Sequence, residues 1–229
     1  EVRYAIAKSI TAKLGNIEQS DHIYTVTDHF NFAQSLITDE AILKKVVSMN
    51  IAASVRAKYA NAYESGLIYI RTAMELVEEK NLTVPKKMLR DLNLQRAESE
   101  HLVGNNEVVE EFFDKALSYT DDVIDKAKVT IRKIQFFNNI RNFEAAYKAC
   151  REVTAELGVK IPSSFSPPSL AIEFVKYKSL MGNRDVDDLI NLPEMQDEKL
   201  KTAILLMAAA GQSAFQIRPE LCVLVCAIM

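Results

Sequence analysis

Residues 90–119, RDLNLQRAESEHLVGNNEVVEEFFDKALSY, decide the fold class. Leu89, Leu92, Gln95-Arg96, Ser99 and Leu102-Val103 place apolar or small residues at three- and four-residue steps, with Arg90, Asp91, Glu98 and Glu100 between them. That is the pattern of a helix burying one face. Gly104 can adopt positive φ and close the helix, and Asn105-Asn106 offers turn and N-cap chemistry. Glu107 then places negative charge in the first turn of a second helix, where the macrodipole favours it. Val108-Val109, Phe112-Phe113 and Ala116-Leu117 form its apolar stripe. The stretch reads as two antiparallel helices, and Ala97 and Ala116 are small where such helices approach each other.

Working outward, the same unit recurs. Residues 57–79 read as one long amphipathic helix, in which Gly66, Ile70 and Ala73 repeat the spacing of Val109, Phe113 and Ala116. Downstream, Asp121-Asp122 caps a helix reaching about residue 140, Arg141-Asn142 makes the turn, and Phe143, Ala146, Cys150 and Val153 line the next helix. Gly104 to Arg141 and Ala116 to Val153 are both 37 residues apart, so two features share one offset. The spacing resembles the tetratricopeptide pattern, with a small residue inside the first helix, glycine at the turn, then apolar, aromatic and alanine positions. Arg141 departs from that pattern, which predicts an αR-extended or strained turn there.

The remaining chain is helical in pattern as well. Residues 1–14 form a helix ended by Gly15-Asn16, 17–36 carry a second stripe, and Thr38-Asp39-Glu40 caps a third helix over 39–54. Pro85 opens the central hairpin. Gly158, Pro162, Pro167 and Pro168 mark a break that shifts the packing angle without separating domains. Helix 168–181 follows, then a turn at Gly182-Asn183, a short helix opened by Asp185 and Asp187-Asp188, an interruption at Pro193, and helices over 197–211 and 219–229. The expectation is an all-α superhelix of TPR-like antiparallel hairpins with about eleven helices. It divides into N-terminal helices 1–56, repeats over 57–161, and C-terminal hairpins over 162–229, truncated at the end. Stacked hairpins bury a continuous core and leave a concave surface for a peptide or protein ligand.

Composition narrows the function classes. The chain has 229 residues, 48% hydrophobic and 26% charged, with a formal net charge of −3. That balance, with no basic run longer than Lys44-Lys45 or Lys86-Lys87, argues against a nucleic-acid binder. The most apolar stretch, Leu221 to Met229, is far short of the roughly 20 residues of a membrane span. No signal peptide is recognisable, and the three cysteines have neither disulfide-framework nor zinc spacing, so a reducing cytoplasm is expected. Cys222 and Cys226, one helical turn apart in an apolar run, read as buried structural thiols.

No catalytic constellation emerges. The signatures G-x-x-x-x-G-K-[ST], G-x-G-x-x-G, G-x-S-x-G and H-E-x-x-H do not occur, so the stretch is read as non-enzymatic and without cofactor. His22 and His29 lack a third ligand, and His29 is expected to make a structural hydrogen bond at a helix contact. The aspartates at 121, 122, 125 and at 185, 187, 188 lack a calcium loop's glycine and closing glutamate, and read as helix caps. The aromatic residues at helical spacing belong mostly to the core. Polar residues between them, Asn61, Arg71, Arg96, Glu100, Asn138 and Asn139, are the candidates for a concave binding face.

Several stretches together resemble one family. They are TVTDHFNFAQSLITDEAIL (25–43), AKYANAYESGLIYIRTAMELV (57–77), RAESEHLVGNNEVVEEFFDKAL (96–117) and IQFFNNIRNFEAAYKACREVTAELGVKIP (134–162). Residues 185–229 are the most specific, with Leu192-Pro193-Glu194-Met195 and Pro219-Glu220-Leu221. The family is that of bacterial multidomain signalling proteins with a serine/threonine kinase domain, a STAND-like P-loop ATPase, a helical-repeat region, and GAF and sensor histidine kinase domains. The resemblance implies that this chain is the helical-repeat region, partnered by the adjoining ATPase and kinase domains. The alternative it leaves open is the ligand- or partner-binding arm of a STAND-type ATPase transcriptional regulator.

Overall fold

The structure, a computed structural model, describes residues 1–182, 184, 186–191 and 193–229. Asn183, Asp185 and Leu192, each invoked above, lie outside the described residues. The chain is all-α: eleven α-helices and four short 3₁₀ turns, with no strand among the described residues. The helices are α1 (Val2–Leu14), α2 (Ile23–Phe32), α3 (Glu40–Tyr59), α4 (Tyr63–Glu79), α5 (Lys86–Leu102), α6 (Val109–Ser118), α7 (Val123–Asn139), α8 (Phe143–Glu156), α9 (Pro167–Met181), α10 (Glu198–Ile217) and α11 (Pro219–Ile228). They form two compact units, Glu1–Tyr119 and Thr120–Met229.

One turn geometry makes three of the hairpins. At the α3–α4, α5–α6 and α7–α8 turns, Asn61, Gly104 and Arg141 have φ of 57°, 92° and 61°. Each turn closes its first helix with a pair of nested hydrogen bonds. The Gly104 amide donates to the His101 carbonyl at 3.0 Å and the Asn105 amide to that of Glu100 at 2.9 Å. The same pair recurs from Asn61 to Lys58 and Ala62 to Ala57, and from Arg141 to Asn138 and Asn142 to Phe137. This is the Schellman motif, which satisfies the last carbonyls of a helix and requires one left-handed residue. Asparagine and glycine adopt that conformation cheaply; arginine does so at a cost. Arg141 is thus not αR-extended but left-handed, the strained of the two possibilities.

In the first unit, α1 packs on α2 and α2 on α3, and the hairpins α3–α4 and α5–α6 meet through α4 and α5. Val46, Ile70 and Ala73 are fully buried in its core. Gly66 lets α4 close on α3: a Cβ there would stand 3.3 Å from the Ser54 carbonyl and 3.5 Å from the Ala57 Cβ. Between α2 and α3, Asn31 and Asn50 exchange reciprocal amide hydrogen bonds of 2.9 and 2.8 Å. Tyr69 on α4 donates to Asp28 on α2 at 2.8 Å. The repeat positions read from sequence hold the same place in each hairpin: Gly66, Ile70 and Ala73 on α4, Val109, Phe113 and Ala116 on α6, and Ala146, Cys150 and Val153 on α8 are all buried.

Two substitutions separate conformational from packing effects. No atom lies within 4 Å of the place a Gly104 Cβ would occupy, so Gly104→Val should destabilise by backbone conformation alone, by about 1–2 kcal/mol. Ala116 is fully buried, and Ala116→Leu should overpack α5 against α6 at about 1–3 kcal/mol. Thermal melts matching the unsubstituted protein for both would refute the register.

In the second unit α7 and α8 form the hairpin, α10 lies against both, and α11 packs on α10 and α9. Ile134, Phe137, Cys150, Leu206, Ala210 and Leu224 are buried there. Burial pushes the Cys150 thiol up to about 12, and its Sγ faces the Leu206 carbonyl at 3.5 Å. Of the aspartates read as caps, Asp39 and Asp122 are caps, whereas Asp125 lies in the first turn of α7 and Asp187-Asp188 lie inside a 3₁₀ turn. Asp39, Asp122 and Asp197 accept amide hydrogen bonds at the starts of α3, α7 and α10, and Ser166 with Ser169 forms a capping box on α9.

Several expectations are corrected. The single helix expected over 57–79 is two, because Asn61 turns left-handed and ends α3 at Tyr59. Accordingly α3 runs five residues past the expected 54. The stripe 17–36 is divided into two 3₁₀ turns, Ile17–Gln19 and Gln34–Leu36, around α2. Gly211 does not end α10; with open space around it, the helix continues to Ile217. The Nδ1 of His29 is buried and makes no hydrogen bond, so the expected structural bond is not through that atom. Cys226 is exposed and Cys222 half-buried, since α11 turns Leu221, Leu224 and Val225 inward instead.

Candidate functional site

Three of the six candidate residues converge in the first unit. Arg96 and Glu100 lie one turn apart on α5, a spacing that brings side chains together. Arg96 Nε donates to Glu100 Oε1 at 2.6 Å. From α4, Arg71 Nη2 reaches the same oxygen at 2.9 Å. The other oxygen, Oε2, accepts from Asn105 Nδ2 at 2.7 Å. Asn105 therefore does not cap α6, because its amide turns back to a buried carboxylate; Asn106 likewise turns back, its Oδ1 2.7 Å from His101 Nδ1.

The electrostatics follow from burial. The Glu100 side chain is 1% exposed, Arg96 16% and Arg71 44%. Burial alone would raise the Glu100 carboxyl, but the hydrogen bonds from Asn105 and Arg71 and the charges of Arg96 and Arg71 outweigh it. The carboxyl is held below its ordinary value. Burial lowers the Arg96 guanidinium, aided by the charge of Arg71 and opposed by Glu100. Arg96 also lies over the Phe112 ring, 5.1 Å from its centroid. Around this network opens a cleft of about 480 Å³, lined also by Gly104, Asn106, Glu107, Val108 and Glu111. Its buried charges are satisfied internally, and Glu107 and Glu111 at the rim are exposed to solvent, as Arg71 is in part.

Asn138 and Asn139 fall in the second unit, at the C-terminal end of α7. Asn138 is buried and fixed by α10: its Nδ2 donates to the Ala209 carbonyl at 3.0 Å, and its Oδ1 accepts from Ser213 Oγ. With Asn139, Arg141, Phe143, Gln212 and Gln216 it lines a cleft of about 500 Å³. Asn61 joins neither cleft's lining residues; its Oδ1 accepts from Tyr63 at 2.8 Å within its own turn. Gln212 and Gln216 were not singled out from the sequence, although their one-turn spacing in the alanine-rich α10 was a readable signal. In the sequence Arg141 marks only a turn. Among the described residues no group of three or more His, Cys, Asp or Glu is placed to hold a metal ion, and no helix is long and apolar enough to cross a membrane.

Against known proteins, no family profile matches the chain and no solved structure does. A relative is the hybrid signal transduction histidine kinase G of Dictyostelium discoideum, 21% identical over 179 residues. The match covers 74% of this chain and 5% of the relative's length. What is found is a weak likeness to part of a signal-transduction histidine kinase.

Proposed function

We propose that this chain is a non-catalytic helical-repeat module of a large signal-transduction kinase. In this reading it relays the state of an adjoining STAND-like ATPase domain to downstream kinase domains, and offers its polar clefts to a peptide or protein ligand. The supporting observation is the similarity itself, which spans most of this chain and a small part of a much larger histidine kinase. The hairpin architecture fits, because stacked helical pairs present broad surfaces to partners. A histidine kinase relative favours the kinase reading over the arm of a transcriptional regulator.

The test is calorimetric titration of the chain with the ATPase domain of its parent protein, once with ADP and once with a non-hydrolysable ATP analogue. Affinities that differ between the two nucleotides would support the relay. Equal affinities, or no binding with either, would overturn it.

A further inference from the structure

We propose that the cleft of the second unit binds a peptide carboxylate: Arg141 grips the carboxylate while Gln212 and Gln216 pair with the adjoining peptide group. The proposal names the chemistry of one partner within the interaction-module reading, and does not depend on the ATPase relay. Arg141 is exposed, and its guanidinium has no partner among the described residues. It is the sole charged side chain among the described residues lining the cleft. Gln212 and Gln216, both exposed, project from α10 one turn apart, and their amides are likewise unengaged by described residues. Beneath them the floor is fixed, because Ser213 and the Ala209 carbonyl hold Asn138. Phe143, half-buried at the start of α8, supplies an apolar wall.

The ligand class follows from these groups. A guanidinium fork matches a carboxylate with two parallel hydrogen bonds. A primary amide both donates and accepts, the complement of a peptide N–H and C=O. One unpaired positive charge balances a monoanion, whereas a phosphate dianion would leave charge uncompensated on binding. The backbone adds an independent observation. At the equivalent turns the left-handed position is held by Asn61 and Gly104, both suited to it, and here by an arginine at φ 61°. Strained residues concentrate where their side chains serve a ligand, and this outlier carries the cleft's charge.

The probe is N-acetyl-glycylglycine, a minimal peptide carboxylate, titrated into the ¹⁵N-labelled chain and followed by the side-chain amides of Gln212 and Gln216 and the backbone amide of Arg141. Saturable shifts are expected. N-acetyl-glycylglycinamide, which lacks the carboxylate, and acetate, which lacks the peptide group, should each bind about tenfold more weakly. Equal binding by the amidated probe, or by acetate or inorganic phosphate, would overturn the assignment. Arg141→Gly should abolish saturation, and because glycine suits the left-handed turn it should also raise stability by a few degrees in a thermal melt. A folded Arg141→Gly protein that binds as before would equally overturn it. Loss of nucleotide-dependent ATPase binding with this cleft intact would refute the relay alone.

Discussion

Glu100→Ala should lower the stability of the first unit by about 3 kcal/mol, near the low end for breaking a buried ion pair because Arg71 retains solvent. The substitution strands Arg96, 16% exposed, and leaves the Asn105 amide without its acceptor. The effect should depend on pH with a definite sign. The Glu100 carboxyl is lowered from an ordinary value of 4.5 in the folded chain. Its contribution is therefore complete above that value and is lost as pH falls through the lower folded value. The difference between the two proteins should be constant at neutral pH and narrow in acid, where the protonated carboxyl no longer balances the arginines. Hydrogen exchange of the α5 and α6 amides is the appropriate measurement, since a chain of two units need not unfold in one step. A small, pH-independent difference would mean that the network is not held as described.

Phe113→Ala should be larger still, at about 3–5 kcal/mol. The ring is 1% exposed and lies between Val109 and Ala116 on the buried stripe of α6, so its loss opens a cavity that a ten-residue helix can fill only by moving. The neighbouring Phe112→Ala is the control. Half-buried at the cleft under Arg96, it should cost much less. Comparable losses at the two positions would show that the stripe has been misassigned.

The hairpins were legible because their signals are local. Three-and-four-residue periodicity, a turn residue able to go left-handed, and aspartate caps each act within a few residues. The errors arose where a local signal had two outcomes. Asn61 lacked the obvious mark of a glycine, so a turn was read through as helix; Gly211 bore that mark but sat in a helix with room on all sides. The Arg71–Arg96–Glu100 convergence was only partly visible. The α5 pair follows from one-turn spacing, but the arrival of Arg71 depends on how α4 packs against α5. Asn105 was misread for a related reason: a buried carboxylate competed with the helix start for its side chain. The second cleft was least legible, since it joins residues 138–143 to 212–216, and no periodicity connects segments so far apart.

That separation also bears on how each half of the chain comes together. In the first unit, packed helices are mostly sequence neighbours, so ordering can begin at any hairpin and spread along the chain. In the second, α10 must return across residues 157–197 to reach α7 and α8. Closing that loop costs chain entropy before any contact compensates it, which slows folding at a given stability. The second unit should therefore be the late step in refolding, and a shorter connection through α9 should accelerate it.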